Sequence, residues 1–305
     1  MPIAFRASGP LDAIQENLGL LGDLPGTFVG AGFNLIARPD KQRNNPFFLE
    51  LNATQEILEF TNIGGDIPNR GSIESDLILH GVRYLQRVAD CATHTAIHLE
   101  PGLWLHVPAT AAPDPVTEET YVRQATIPHG DSVLAQSTLF VTVNGGPQIA
   151  PVDSTPFTGD IPDLNRSPAT PVTNADYLKP YRESPLPTEC LPAGLDPVQT
   201  IKNPALVLQA AIAGQNITET IVIQISTASV QNGGIVNIPF VVQNANATRL
   251  DAIFWIEKVA NPAGGAEPFI QLQYVQRVIL DFPPAIGAPR ISWPHISVAT
   301  LVKTL

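Results

Sequence analysis

Short runs of β-branched and aromatic residues, each about one strand long and ended by a turn, recur along this 305-residue chain. The turns carry glycine, as in Gly64-Gly65-Asp66, Pro101-Gly102 and Asn144-Gly145-Gly146. Regular strands separated by glycine turns are typical of an antiparallel sandwich or barrel. We therefore predict an all-β chain with strands at residues 27–36, 47–51, 56–61, 82–88, 93–99, 103–107, 122–127, 132–143, 220–227, 235–243, 249–259, 269–282 and 297–302.

The first of these strands has glycines at alternating positions. Gly26, Gly30 and Gly32 share one parity and therefore lie on the same face of the strand. Glycine inside a strand marks a sharp bend or a close approach of two backbones, as at a barrel corner. The sequence therefore favours an antiparallel β-barrel that is closed or nearly closed.

Helix signals are few, and prolines interrupt the strand pattern once. Leucine and isoleucine spacing predicts a short N-terminal helix at residues 10–22, and Asn203-Pro204 begins a second one that ends at Gly214. Prolines crowd residues 147–204, which excludes a central sheet because proline lacks a backbone donor. We predict one barrel domain over residues 1–305, with 147–204 as a proline-rich insertion that wraps or covers it.

The charge balance excludes two classes of partner. The formal net charge is −11 with only 15% charged residues, so nucleic acid and anionic membrane surfaces would be repelled. No run of about 18 apolar residues occurs, so a membrane span is not predicted. The mean hydropathy of +0.09 indicates many buried strands or a large apolar pocket.

The two cysteines are Cys91 and Cys190, far apart and without metal-ligand spacing. The N-terminal residues lack a signal-peptide pattern, so the sequence predicts a cytoplasmic protein. We accordingly expect two free thiols, with a single disulfide as the alternative.

Six histidines are the main candidates for chemistry, because none of the common local catalytic motifs is present. Residues 93–108 are predicted to form a hairpin. A three-residue turn would place His94, His98, Trp104 and His106 on one face, whereas a two-residue turn would put His106 on the opposite face. His94 and His98 lie about 13 Å apart along a strand, too far to share one metal ion.

Two further histidines stand in distinctive places. His129 lies within Pro128-His129-Gly130-Asp131, a sequence that predicts a turn. His295 follows Trp293-Pro294 at the start of the last predicted strand. A neutral imidazole on an apolar strand is a possible axial ligand of heme iron.

Three segments resemble the nitrobindin family. Residues 24–33, with Phe28 in place of the family's tryptophan, resemble its glycine-rich opening strand. Residues 98–104 resemble its central hairpin, and Pro294-His295-Ile296-Ser297 resembles its C-terminal strand. The resemblance covers residues 10–130 and 250–305, and the chain is nearly twice the family's usual length.

The resemblance implies a calycin-like barrel, similar in shape to fatty-acid-binding proteins, with a partly exposed heme b. His295 would be the proximal ligand of the heme iron. Trp104, Phe28 and Phe33 would pack against the porphyrin, and His98 or His106 would act on its distal side. The implied chemistry concerns nitric oxide, peroxynitrite or peroxide.

Two other functions fit the sequence. The first is a non-enzymatic carrier of an apolar small molecule, a fatty acid or an aromatic compound, anchored by Arg83, Tyr84 or Arg277. The second is a structural protein that forms a homo-oligomer, with residues 147–204 as its assembly arm. The sequence leaves open whether the protein is an enzyme.

Overall fold

The computed structural model describes residues 15–110, 117–228, 233–260 and 267–304. Twelve β-strands form the body of the described chain. In chain order they are β1 (Gly26–Asp40), β2 (Asn45–Asn62), β3 (Ile67–Asn69), β4 (Leu77–Asp90), β5 (Ala96–Val107), β6 (Thr120–Ile127), β7 (Asp131–Asn144), β8 (Ile217–Ser226), β9 (Gly234–Asn237), β10 (Asn246–Val259), β11 (Phe269–Phe282) and β12 (Ile291–Lys303).

Ten of the strands close into a barrel. Their order around the wall is β2-β1-β12-β11-β10-β8-β7-β6-β5-β4, and β2 pairs directly with β4 to complete the ring. Every pairing is antiparallel. The short strands β3 and β9 pair with β4 and β7 outside this ring. The predicted all-β, closed antiparallel barrel is confirmed.

The helices are short. Residues 15–17 are helical and a 3₁₀ helix follows at Gly19–Leu21, while residues 10–14 of the predicted N-terminal helix lie outside the described residues. A second 3₁₀ helix occupies Lys41–Arg43. The α-helices are α1 (Ala175–Glu183), α2 (Pro197–Lys202), α3 (Ala205–Ala211) and α4 (Pro239–Asn244). None of the helices in the described part of the chain is long and apolar enough to cross a membrane.

The strands alternate between an inner and an outer face, and both faces carry buried residues. The inner cluster is centred on Leu21, Phe28, Trp104, Ile223, Phe254 and Leu272. The outer cluster is formed by the wall and by residues 147–208, and it is centred on Phe33, Phe47, Ile201, Leu208, Val275 and Trp293. Residues 147–204 therefore pack against the outside of the wall around β1, β11 and β12.

Buried polar contacts also hold this segment in place. Arg277 lies on the outer face of β11 and is 1% exposed. Its guanidinium donates to Asp251 Oδ2 at 2.8 Å and to the main-chain oxygen of Pro162 at 2.6 Å. The polar outer face of β11 is thus covered by protein.

The inner-face glycines of β1 allow a close approach of β12. A Cβ atom on Gly30 would lie 2.1 Å from the main-chain oxygen of Thr300. On Gly32 it would lie 2.2 Å from the main-chain oxygen of Val298. Side chains larger than glycine cannot occupy these positions without a backbone shift, which confirms the close approach predicted from their parity.

The predicted hairpin at residues 93–108 is wrong. Residues Ala96–Val107 form one continuous strand, in which Pro101 pairs with Leu85 of β4. Pairing with β6 begins only at Gly102, so Pro101 stands where one side of β5 has no strand partner. Proline is tolerated at such a position because a ladder donor is not needed there.

The expectation of two free thiols is also wrong. Cys91, just after β4, and Cys190, in the proline-rich segment, form a disulfide that closes a sequence separation of 99 residues. Disulfides persist mainly in oxidising compartments, so the bond does not agree with the reducing cytoplasm on which the expectation of free thiols rested.

Candidate functional site

Three histidines meet at one end of the barrel, which we call the histidine end. β5 and β12 begin there, so His98 and His295 lie near that edge, and the turn between β6 and β7 places His129 beside them. The rings of His98 and His129 stack with centroids 6.0 Å apart. Imidazoles from three separate segments therefore share one region.

His295 is held by an amide oxygen. Its Nε2 atom donates to Asn34 Oδ1 at 2.7 Å, and the hydroxyl of Ser297 donates to the same oxygen at 2.9 Å. Because Oδ1 is an acceptor, the ring proton sits on Nε2. No described residue provides a hydrogen-bond partner for Nδ1, whose lone pair is therefore free.

The imidazole of His295 is neutral. Burial, followed by the charges of His98 and His129, lowers its pKa from 6.5 to about 3. Neutral imidazole is the form that binds metals, and it costs less to bury than the charged form.

Asn34 is itself fixed by a chain of polar side chains along the wall. Its Nδ2 contacts Asn52 Oδ1 at 3.5 Å, and Asn52 Nδ2 donates to Asp90 Oδ2 at 3.2 Å. The other oxygen of Asp90 accepts from the backbone of Thr93 at 2.8 Å, which holds the β4–β5 turn. Asp90 directly precedes Cys91, so this chain ends next to the disulfide.

One apolar row lies beside the histidine. Val278 pairs directly with His295, and Leu250 pairs with Val278, so the three residues form one row across β10, β11 and β12. Leu250 is buried and Val278 packs against the inner cluster. The histidine end thus presents an apolar wall next to a polar one.

His129 and Asp131 complete the polar side. Burial raises the pKa of Asp131, and the positive potential of His129 partly offsets this rise. Asp131 Oδ1 is buried and has no hydrogen-bond partner. Among the described residues, however, no group of three or more His, Cys, Asp or Glu side chains is spaced to hold a metal ion.

A buried ion pair lies deeper in the barrel. Glu100 forms a salt bridge with Arg123 and also accepts from Tyr84 and from His98 Nε2, the last at 3.2 Å. Burial alone would raise the pKa of Glu100, but the charge of Arg123 and the bonds from His98 and Tyr84 lower it to about 2. Arg123 Nη1 also donates to Gln276 Oε1 at 2.5 Å.

A second buried carboxyl group lies in the same layer. Glu56 accepts from Tyr274 at 2.6 Å, from Thr54 at 2.9 Å and from Gln86 at 3.1 Å. Burial raises its pKa despite these bonds. The layer below the histidine end is therefore filled by a connected polar network.

The predicted heme-binding residues do not all come together. Trp104 and Phe28 lie at the other end of the barrel, the helix end, where the Gly19–Leu21 helix packs. His106 is there too, where it donates to the main-chain oxygen of Asn17 at 2.8 Å and stacks on Tyr121. Only His98 and His295 share the histidine end.

Phe33 and two of the predicted anchors lie on the outside. Phe33 belongs to the outer cluster because its parity is opposite to that of Phe28. Arg83 is exposed on the outer face of β4, and Arg277 is covered by residues 147–204. Tyr84 is the one predicted anchor inside the barrel, where Glu100 and Arg123 already bond its hydroxyl.

The sequence interpretation missed the polar residues of the inner face. Asn34, Glu56, Glu100 and Arg123 each stand in a strand at a position that faces inward. The available signal was their parity, since Asn34 shares it with Phe28 and Arg123 shares it with Tyr121.

Only one atom of this arrangement, Nδ1 of His295, suits a heme group as a ligand of its iron. His295 offers a neutral ring with a free Nδ1, and its Nε2–H is donated to Asn34, as the second nitrogen of a metal-bound histidine usually is to an acceptor. A porphyrin could not pack on Phe28, Trp104 and Phe33 together, because they lie at another end or on another face.

Comparison with known proteins identifies no family for this chain. No protein-family model matches the chain, and no curated protein matches it. A crystal structure of Rv2717c from M. tuberculosis aligns over 96% of this chain and 98% of its own, at 13% identity and a TM-score of 0.40. That score is too low to support an argument, so the barrel assignment rests on the strand pairing of the chain itself.

Proposed function

We propose that this protein is a ligand-binding barrel whose site is the histidine end, and that its ligand is a flat, mostly apolar molecule with one coordinating or polar edge. The observation that carries the proposal is the neutral ring of His295, oriented by Asn34 and placed in a row with Val278 and Leu250. Ligand sites commonly combine an apolar lining with a few fixed polar groups.

Side chains fill the interior of the barrel below the histidine end, which favours a ligand site at this end. Trp104 and Phe254 contact each other with ring centroids 4.9 Å apart, and Phe254 stacks on Tyr274 at 5.6 Å. Arg123 and Glu100 are both almost fully buried. A long acyl chain that reached along the barrel would have to displace these contacts.

Heme is the first ligand to test, because His295 can bind iron and the sequence resembles a heme-binding family. His295 would hold the iron through Nδ1 while Asn34 keeps the ring oriented. Bound heme would supply the redox and gas-binding chemistry of its iron. His98 and His129 would remain available as polar neighbours of a small oxidant.

The test is the visible absorption spectrum of the purified chain titrated with hemin. Wild-type protein should develop a strong Soret band with a saturable endpoint, and His295→Ala should lose it. His80→Ala is the matched control, because His80 is a half-buried histidine at the helix end. Protein that remains colourless with hemin, or a His295→Ala variant with an unchanged spectrum, would reject heme as the ligand.

The second candidate is a non-enzymatic carrier of an aromatic or other compact apolar molecule. The apolar row of Leu250 and Val278 favours it specifically. Denaturing the purified protein should release the bound ligand, and mass spectrometry should detect it. Binding of an apolar fluorescent dye should weaken severalfold in Val278→Thr, which adds a hydroxyl at nearly constant volume, and should not change in Val141→Thr on the exposed outer face.

A further inference from the structure

A second group of buried polar residues lies on the outer face of the wall, away from the histidine end. Glu257 of β10 pairs directly with Gln271 of β11, and Gln273 is the next outward-facing residue of β11. All three residues are 0% exposed. Thr220, equally buried, pairs with Glu257 from the other side.

The amide donors of Gln271 and Gln273 and the hydroxyl of Thr220 already have acceptors. Gln271 Nε2 donates to Glu257 Oε2 and to Gln215 Oε1, the latter at 2.7 Å. Gln273 Nε2 donates to Thr300 Oγ1 at 2.6 Å and to the main-chain oxygen of Leu208 at 3.1 Å. The Thr220 hydroxyl donates to the main-chain oxygen of Gly145 at 2.7 Å.

Three acceptor oxygens are left without a donor. They are Glu257 Oε1, Gln271 Oε1 and Gln273 Oε1, and each is buried. An unpaired buried polar atom costs roughly 1–3 kcal/mol, and an unpaired buried charge costs more. An excess of acceptors in a dry site is relieved by a bound positive charge.

Within the described residues, no cationic side chain neutralises the carboxylate of Glu257. Glu257 forms none of the ion pairs, and residues 205–216 and 144–147, which lie over the site, contain no ionisable residue. The nearest charged neighbours in sequence, Lys258 and Glu219, bond each other at 2.7 Å on the opposite face. The carboxyl group is therefore uncompensated by the protein.

We propose that Glu257, Gln271 and Gln273 bind one monovalent metal cation, Na⁺ or K⁺, beneath the turn at residues 212–216. Carboxylate and amide oxygens are hard ligands and suit hard cations. A single positive charge neutralises the single carboxylate, whereas a divalent ion would leave a net charge buried. Gln215 in the covering turn already contacts Gln271, so this turn closes the site.

The carboxyl group of Glu257 carries the cost of this burial. Burial raises its pKa to about 7, against a smaller opposing effect of the bond from Gln271.

The test is thermal unfolding of the full chain in NaCl, in KCl and in choline chloride at equal ionic strength, since choline is too large for a buried site. At about pH 8, Na⁺ or K⁺ should raise Tm by several degrees over choline. A buried water molecule in place of the cation would give the same Tm in all three salts.

Glu257→Gln should abolish the cation-dependent rise, and Gln273→Leu should reduce it. Glu219→Gln, a surface change on the adjacent strand, is the matched control and should leave the rise intact. If either variant fails to fold, wild-type Trp255, which pairs with Gln273, provides a fluorescence readout of cation titration. Equal Tm in all three salts, or a rise that survives in Glu257→Gln, would overturn the proposal.

Discussion

The Nε2 atom of His295 lies 2.7 Å from the Oδ1 atom of Asn34, across the boundary between β12 and β1. The amide oxygen selects the tautomer with the proton on Nε2. Asn34→Ala should therefore allow both tautomers, and nitrogen NMR of the imidazole should show the Nδ1 and Nε2 shifts moving towards each other. Asn52→Ala, one step further along the chain, should cause a smaller change. An unchanged tautomer in Asn34→Ala would contradict the role of this oxygen.

Removing one partner of the buried Glu100–Arg123 pair should be costly. Both side chains are at most 3% exposed, so Arg123→Met leaves a carboxylate uncompensated in the barrel. We expect a loss of about 3–5 kcal/mol in the free energy of unfolding, measured with urea. The double variant Glu100→Gln with Arg123→Met should recover part of this loss. If the single variant unfolds like the wild type, the pair does not control stability.

Glu257 predicts a pH dependence of stability in choline chloride. Its folded-state pKa of about 7 exceeds the ordinary value of 4.5, so the folded protein binds the proton more tightly. The resulting stabilisation is complete below pH 4.5 and is lost as the pH rises through 7, by up to about 3 kcal/mol. Glu257→Gln should flatten this part of the urea unfolding profile, whereas Glu219→Gln should not.

The disulfide should contribute strongly to stability. Joining Cys91 to Cys190 bridges a sequence separation of 99 residues, for which chain entropy predicts about 5 kcal/mol. Cys91→Ser with Cys190→Ser should lower the urea midpoint accordingly. A thiol assay should find no free cysteine in the described chain without reductant and two with it. Two reactive thiols in the untreated protein would refute the bond.

Gly30 should tolerate no side chain. Its Cβ would meet the main-chain oxygen of Thr300 at 2.1 Å, so Gly30→Ala should cost about 2 kcal/mol or more. Gly146→Ala is the control, because its Cβ would meet Ile217 only at an ordinary 3.6 Å. Equal Tm values for the two variants would show that β1 and β12 can separate without penalty.

Much of the fold was predictable from local patterns. The strand predicted at residues 269–282 coincides with β11, and the glycines of one parity in β1 predicted a close backbone approach, which β12 makes. Both signals are local, because strand parity depends only on sequence spacing. The strand at 96–107 was not predictable in the same way, since Glu100-Pro101-Gly102 has turn-forming residues and only pairing with β4 extends it.

The candidate site was predictable only in part. His295 was identified because it stands alone at a strand start, but Asn34 was not, because its contact depends on the pairing of β1 with β12. Parity already placed Phe28 and Phe33 on opposite faces, so one of them had to lie outside the barrel. The burial of Gln271 and Gln273 could not be read from alternation, because a distant segment covers them.

Arg277 recognises the proline-rich segment through main-chain oxygens, at Pro162 and Asp163, and not through side chains. The carboxylate of Asp163 itself is 63% exposed. A substitution at position 163 would keep the main-chain carbonyl that accepts from Arg277, provided that the path of the backbone does not change. The docking of this stretch therefore constrains the path of its backbone at residues 162 and 163 more than the identity of the side chain at 163.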